Sequence, residues 1–468
     1  MSKDKFTAVS IFSGAMGLDI GIESTGQFEV LAAVEIEPTY CETIRVNRDK
    51  GLLANRHLKI YNADITKLDP YVVMDELGLA PGELDLLLGG PPCQSFSTAG
   101  RRGTIQDPRG TLLWQFLRYV EAFRPKFFLM ENVRGLVSAA IRHRPIKERP
   151  ERGGPPLAPD EQPGSVLRLF ADDLARIPDT PYRMDCFEVN AVNYGAPQLR
   201  ERLLCIGNRF NQLVDFPNPT HGPVEDGVQT NVNQLSLFGD PVSSHTPDSV
   251  AMSPTGKLLP YRTLGDAIRG LREENPVIMD FSPRKKKYLA MVPPGGNWRS
   301  LPLHVQKESM GRAWYAKGGR SGWWRRLSYD LPCPTIVTMP NHASTSLCHP
   351  EEVRALTVRE CALVQEFPID WEFVGTPFEQ YAQVGNAVPI RLGAVAGQVI
   401  AQHLKHLLQN EFQVSSEAVP RFRLVYVQSH VRTRRWYNKG QTFVWKDGRD
   451  NRDAMHQRPV TLRKVRFL

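Results

Sequence analysis

The chain has 468 residues, enough for two or three domains with separate cores. At 41% hydrophobic and 23% charged it has an ordinary globular composition. No run of ~18 apolar residues marks a membrane span, and the N-terminus MSKDKFTAVSIF lacks a signal core, so a cytoplasmic, membrane-free location is expected.

The net charge of +8 is unevenly spread. Residues 284–326 hold 11 Lys/Arg against Glu308 alone, and residues 421–468 hold 13 against Asp447, Asp450 and Asp453, leaving a body of net −12. Two basic runs interleaved with aromatics read as a polyanion contact surface rather than solvated faces.

In chain order, Thr7–Phe12, Glu29–Val34, Leu84–Leu88, Lys126–Met130 and Arg202–Ile206 read as strands, with a helix over Thr111–Phe123. Strands apolar throughout and separated by helices predict a doubly wound, parallel α/β sheet with its ligand crevice at the carboxyl ends. Residues 143–165, rich in Pro, Gly and charge, read as an exposed insertion. From residue 216 the sequence turns polar and Pro-rich, with a short helix near Leu264–Leu271. Helical patterning returns at Thr357–Glu366 and Ile390–Leu407. In the tail Phe422–Val427, Thr442–Trp445 and Val460–Leu468 look strand-like, as a third unit. The expected layout is a catalytic and cofactor-binding domain over 1–215 completed by 376–412, a smaller irregular domain over 216–350, a connecting region over 351–375 and a basic extension over 413–468.

Seven irregularly spaced Cys without a CxxC pair argue against a disulfide framework and a zinc ribbon. Cys333, Cys348-His349 and Cys361 fit no usual ligand spacing, so no metal is expected.

The loop Phe12-Ser13-Gly14-Ala15-Met16-Gly17 follows a strand and opens a helix. Glycines there let the backbone approach a ligand closely. Glu35 and Asp64 end the next two strands, where carboxylates can accept from ribose hydroxyls and an adenine amino group. Together they describe a pocket for an adenosine-containing cofactor. Gly89-Gly90-Pro91-Pro92-Cys93-Gln94-Ser95-Phe96-Ser97 follows the Leu84–Leu88 strand. The prolines stiffen a strand-end turn that carries Cys93, and Gln94–Gly110 reads as a loop hinged by Gly100, Gly103 and Gly110.

The PPCQSFS stretch resembles the catalytic motif of the DNA (cytosine-5)-methyltransferases. Phe12–Gly17 is similar to that family's cofactor loop, although Ser13 stands where Ala is commoner. Glu131-Asn132-Val133 resembles its ENV motif and Gln198–Arg202 its QxRxR motif. Arg359–Pro368 resembles its late helix motif and Gln383–Pro389 its closing GNxV motif. The motifs run in family order through nearly the whole chain; the tail beyond about 415 lies outside the pattern.

The resemblance implies a Rossmann-like methyltransferase of the S-adenosylmethionine-dependent type with a target-recognition domain. It implies Cys93 as nucleophile toward C6 of a flipped cytosine, Glu131 at N3, and Arg200 and Arg202 at O2. S-adenosylmethionine would be held by Phe12, Gly14, Gly17, Glu35, Asp64, Pro92, Asn386 and Val388. Duplex DNA would be met by Gln94 and Ser95 and by Arg284, Lys285, Lys286, Lys287, Arg320, Arg325 and Arg326. Of Tyr288, Trp298, Trp314, Tyr315, Trp323 and Trp324 about half are expected in a core. A monomeric bacterial modification enzyme, paired with a restriction endonuclease it does not touch, is the expected setting. An RNA cytosine methyltransferase and a silent DNA-binding homologue are the alternatives. An amine methyltransferase would not need Cys93.

Overall fold

The computed structural model describes residues 5–92, 111–222, 258–315, 320–409, 421–427 and 463–467. Five strands, β1 (Phe6–Ile11), β2 (Phe28–Glu35), β3 (Lys59–Asn62), β4 (Leu86–Gly89) and β5 (Phe127–Val133), lie parallel in the order β3-β2-β1-β4-β5. Helices α1 (Gly17–Glu23), α2 (Pro38–Asp49), α3 (Pro70–Leu77) and α4 (Leu112–Phe123) occupy the connections. Alternate strand residues serve two cores. Ala8, Leu86, Leu88, Phe127 and Leu129 point to one face, and Val9, Leu87, Phe128 and Met130 to the other. Each large apolar side chain so buried contributes about 1.5–3 kcal/mol.

Past β5 come α5 (Ser165–Ala175), β6 (Arg183–Asn190), the short β7 (Gln198–Leu199) and β8 (Glu201–Asn208). β8 inserts between β5 and β6 and runs antiparallel to both. The sequence suggests a fully parallel sheet. The segment between β6 and β8 is too short for the crossover helix a parallel return needs, so the strand doubles back.

β9 (His221–Gly222) pairs with β10 (Leu259–Pro260). The region then carries α6 (Leu264–Ile268), α7 (Pro283–Ala290), α8 (Leu303–Met310) and β11 (Cys333–Pro334), which pairs with β7. Its inner cluster includes Phe281, Tyr288, Leu289, Trp298 and Trp324. Leu264, Ile268, Leu327, Ile336 and Leu347 instead join the main core.

Three helices return the chain to the body: α9 (Val358–Val364), α10 (Pro377–Asn386) and α11 (Ile390–Leu408). The stretch Pro377–Leu408 is long and apolar enough to cross a membrane, but 83% of its apolar window is buried inside the protein. α11 packs on α1 at glycine contacts: a Cβ on Gly21 would lie 2.2 Å from the Ile390 carbonyl oxygen.

Strand β12 (Phe422–Val427) pairs in parallel with β6, and β13 (Arg463–Phe467) pairs antiparallel with β12. These tail strands, expected in a separate unit, extend the central sheet to nine strands. Thr442–Trp445 lies outside the described residues. Cys186 and Cys205, opposite each other on β6 and β8, are disulfide-bonded, a pairing the cysteine spacing does not suggest.

Candidate active site

The loop after β1 turns back on itself through left-handed backbone at Phe12 (φ 55°), Gly14 (φ 55°) and Met16 (φ 66°). Gly14 takes this conformation without strain, and a Cβ there would meet nothing within 4 Å, so the turn opens outward. Gly17 is a close-approach site, where a Cβ would fall 2.5 Å from the Val388 carbonyl oxygen. Val388, from the far end of the chain, is thereby seated beside the loop, and neighbouring Asn386 hydrogen-bonds the Tyr40 phenol.

Glu35 ends β2, buried, and organises this edge. One carboxylate oxygen accepts from Gly14 N at 2.8 Å, the other from Ile36 N at 2.9 Å and Glu37 N at 3.1 Å. Burial raises its pKa against those N–H donors. Asp64 follows β3 in a tight turn, accepting from the Thr66 N–H at 3.0 Å and the Thr66 hydroxyl at 2.7 Å. These bonds lower its pKa. Ile36, between the two acids along this edge, is 56% exposed. It is an apolar surface beside polar acceptors that sequence reading passed over. An exposed apolar residue directly after a strand-end acid was the available signal.

At the next strand end, Pro91 is buried and Pro92 exposed. Asn132 donates to the Pro91 carbonyl at 3.1 Å and accepts from Val133 N at 2.9 Å, fastening the diproline turn to β5. A Cβ on Gly90 would lie 3.1 Å from a Glu131 carboxylate oxygen, so the turn passes directly over that acid. Cys93, Gln94 and Ser95 lie outside the described residues. Glu131, 9% exposed, is paired with Arg202 Nε at 2.6 Å, a close electrostatic contact without hydrogen-bond alignment. Arg202 also donates to the Glu201 carbonyl at 2.8 Å.

Arg200 lies within electrostatic reach of Glu131 and Arg202, but its guanidinium is committed to backbone carbonyls. Its guanidinium, 1% exposed, donates to the carbonyls of Ile336 at 2.8 Å, Gly385 at 2.7 Å and Ala387 at 2.8 Å. Burial drives its pKa well down. Gln365 donates to the carbonyls of Val384 at 2.7 Å and Ala387 at 3.1 Å, and receives a bond from Gln198 at 2.5 Å. The last-turn carbonyls of α10, unsatisfied within the helix, are thus capped by side chains from two distant motifs. Three motifs separated in sequence meet as one buried network.

A family model described as C-5 cytosine-specific DNA methylase matches residues 6–147 and 164–402. The chain belongs to the C-5 cytosine-specific DNA methylase family. It is 33% identical over 399 residues to the type II methyltransferase M.Sau96I of Staphylococcus aureus, covering 85% of this chain and 76% of the relative. It is also 33% identical over 413 residues to M.PspPI of Psychrobacter sp. strain TA137, covering 87% and 82%. In fold it is similar to the crystal structure of a prophage-encoded E. coli protein described as a DNA modification methyltransferase. That likeness has TM-score 0.51 at 21% identity and covers 86% of this chain and all of the other. The chain is a DNA cytosine-5 methyltransferase.

In this methylase the basic segment 284–326 divides sharply. Arg326 donates to the carbonyls of Pro350 at 3.0 Å, Val292 at 3.3 Å and Glu351 at 2.7 Å. Arg325 donates to Ser346 O at 3.2 Å and Lys285 to Asn341 O at 2.8 Å. Lys286 pairs with Asp280. Arg320 donates to Trp314 O and lies 5.0 Å over the Trp298 ring. Arg284 and Lys287 are exposed and have no ion pair among the described residues. Of the six aromatics, Tyr288, Trp298 and Trp324 are buried, the expected half, while Tyr315 is 74% exposed. Among the described residues no three His, Cys, Asp or Glu side chains group as metal ligands would. The buried thiols of Cys333 and Cys348 are each pushed up to about 12 by burial.

Proposed function

We propose that this methylase transfers a methyl group from S-adenosylmethionine to carbon 5 of a cytosine flipped out of a specific duplex DNA sequence. The reading rests above all on one observation: the Arg202-paired Glu131 lies directly beneath the turn whose next residue is Cys93.

The cofactor edge fits such a donor. Gly14 faces open space, Glu35 and Asp64 stand as acceptors at adjacent strand ends, and Ile36 offers an apolar face for a purine. Gly17, Phe12, Pro92, Asn386 and Val388 would complete the pocket. S-adenosylmethionine supplies an electrophilic methyl on a sulfonium. Cytosine C5 is a poor nucleophile, and the protein's residues correct this. The Cys93 thiolate forms a bond to C6 while Glu131 hydrogen-bonds or protonates N3, so ring electrons move toward C5. Arg202 holds the Glu131 carboxyl in place and faces O2. Once C5 carries the methyl, loss of its proton re-forms the C5–C6 double bond and expels the thiolate. Arg200 acts at a distance, by fixing the strand that carries Arg202.

We place the reaction in the cytoplasm, with the protein acting as a monomeric modification component beside an endonuclease it does not touch. The region 216–350 serves as the recognition domain, with Arg284 and Lys287 on phosphates. Purified protein is expected to move labelled methyl from S-adenosylmethionine into duplex DNA, with bisulfite sequencing reading the site. Cys93→Ala should abolish transfer and keep DNA binding. Transfer at the wild-type rate by that variant would refute the covalent route.

A further inference from the structure

The insertion after β5 is a built feature. The chain leaves the active edge through a 3-10 turn, Arg134–Ser138. The turn's Arg134 pairs with Glu188 at 2.7 Å and with Glu201, the neighbour of Arg202, at 3.1 Å. The ends of the following loop then close on one another. Gly164 N donates to Ala139 O at 3.1 Å, Ile141 N to the Ser165 hydroxyl at 3.0 Å and Arg142 N to Asp160 O at 3.0 Å. This is an Ω-like loop with a fixed neck, a class often functional.

Its interior is held by Glu161, 8% exposed, which pairs with Arg144 and lies 3.6 Å from Arg142. Donation from Ala158 N and Arg144 holds its pKa below the carboxylate range. Arg144 further donates to the Pro155 carbonyl at 2.6 Å, and Arg149 to the Arg144 carbonyl at 3.1 Å. These arginines form the frame. Lys147 and Arg152 are exposed, line a cleft of about 620 Å³ with His143 and Glu148, and have no ion pair among the described residues. The family model leaves residues 148–163 unmatched, so the outer part of this loop is an elaboration of this chain.

We propose that this insertion is a second, sequence-independent DNA contact: Lys147 and Arg152 grip backbone phosphates of the duplex flanking the target. The proposal rests on the reading of the site as a DNA methylase. The loop's neck is rooted six residues past Val133, on the carboxyl side of the strands where Glu131 sits, so the neck borders the edge a duplex must approach. Its free cations are exposed and do not converge on one buried point. That suits a linear polyanion running along the cleft better than a small ligand enclosed on all sides.

The test is equilibrium binding of the full-length protein and its Lys147→Ala/Arg152→Ala variant across a salt series. One probe is a duplex ending a few base pairs beyond the methylated site, the other a duplex extended by a turn or more on both sides. On the long duplex the slope of log K against log[salt] should flatten by about 1.8, at about 0.9 per phosphate contact. On the short duplex it should not change. An unchanged slope on both would overturn the proposal, and an equal loss on both would overturn the flanking position. Wild-type methyl transfer, measured alongside, separates either failure from failure of the methylase reading. Both side chains are exposed and bear none of the loop's frame, so a matching thermal melt keeps the comparison valid.

Discussion

The sheet body and the recognition region are held together by different means. In the body, β4 and its neighbours satisfy their backbone through strand ladders and bury apolar side chains on both faces. Between residues 258 and 350 regular structure is sparse, and carbonyls are satisfied by long cations: three by Arg326, one by Arg325, one by Lys285. A charge-assisted bond of this kind contributes about 1.5–3 kcal/mol, comparable to burying a leucine. A basic sequence is therefore two populations, cations consumed by the fold and cations left exposed, and composition alone cannot separate them.

Arg200 sits where the two regions meet, and it should give the largest effect. Arg200→Ala takes the Arg200 donor from the carbonyls of Ile336, Gly385 and Ala387, and among the described residues only Ala387 keeps a second one, Gln365. A loss of about 3–5 kcal/mol is expected in chemical denaturation, similar to a core Leu→Ala. Arg200→Lys should recover little, because an ammonium cannot span three acceptors as a planar fork does. Were the guanidinium instead a contact to the base, stability would survive and only the turnover rate would fall.

The same division explains what was legible in advance. β1, β2, β4 and β5 announce themselves as apolar runs, and the motifs that place Glu35, Asp64 and Glu131 at strand ends follow from them. β6 does not, because RMDCFEVN carries Arg183, Asp185 and Glu188, which read as surface. All three are buried, with Arg183 bound to Asp185 at 3.0 Å and Glu188 to Arg134 at 2.7 Å. Arg423 of β12 reaches the same Asp185 at 2.6 Å, which is how the tail joins the sheet. Arg183 and Asp185 are a local pair two residues apart, but the Arg423–Asp185 pair spans 238 residues, and no local pattern records it. The role of Arg200 was hidden likewise: its motif is readable, but the carbonyls it binds lie 136 to 187 residues away.

Among the buried polar groups of the body is Asp19, in the first turn of α1 and 1% exposed. Burial raises its pKa from 3.8 to about 7, opposed by Ser10 and assisted by Glu23. Between those values the folded protein holds a proton that the unfolded chain releases. The stability is fully present below about 3.8 and is lost as pH rises toward 7. Asp19→Asn removes this dependence. Its melting temperature should exceed the wild type's at pH 8, by the equivalent of about 1–3 kcal/mol, with the advantage shrinking toward pH 5. Parallel pH profiles for the two proteins would show that the carboxyl is ionised in the fold.

The smallest effect on stability, and the cleanest division of the two cation populations, should come from α7. Arg284 and Lys287 are exposed on a helix whose inner face, Tyr288 and Leu289, fills the recognition core. Replacing both with Ala should leave unfolding within about 0.5 kcal/mol of wild type. The salt slope of DNA binding should flatten by about 1.8, as two phosphate contacts would give. Arg326→Ala should behave the opposite way, with a clear loss of stability and little change in slope once the protein is held folded at low temperature. If both variants instead flatten the slope alike, Arg326 reaches DNA as well as its carbonyls. The line between structural and ligand-facing cations would then run through single side chains rather than between them.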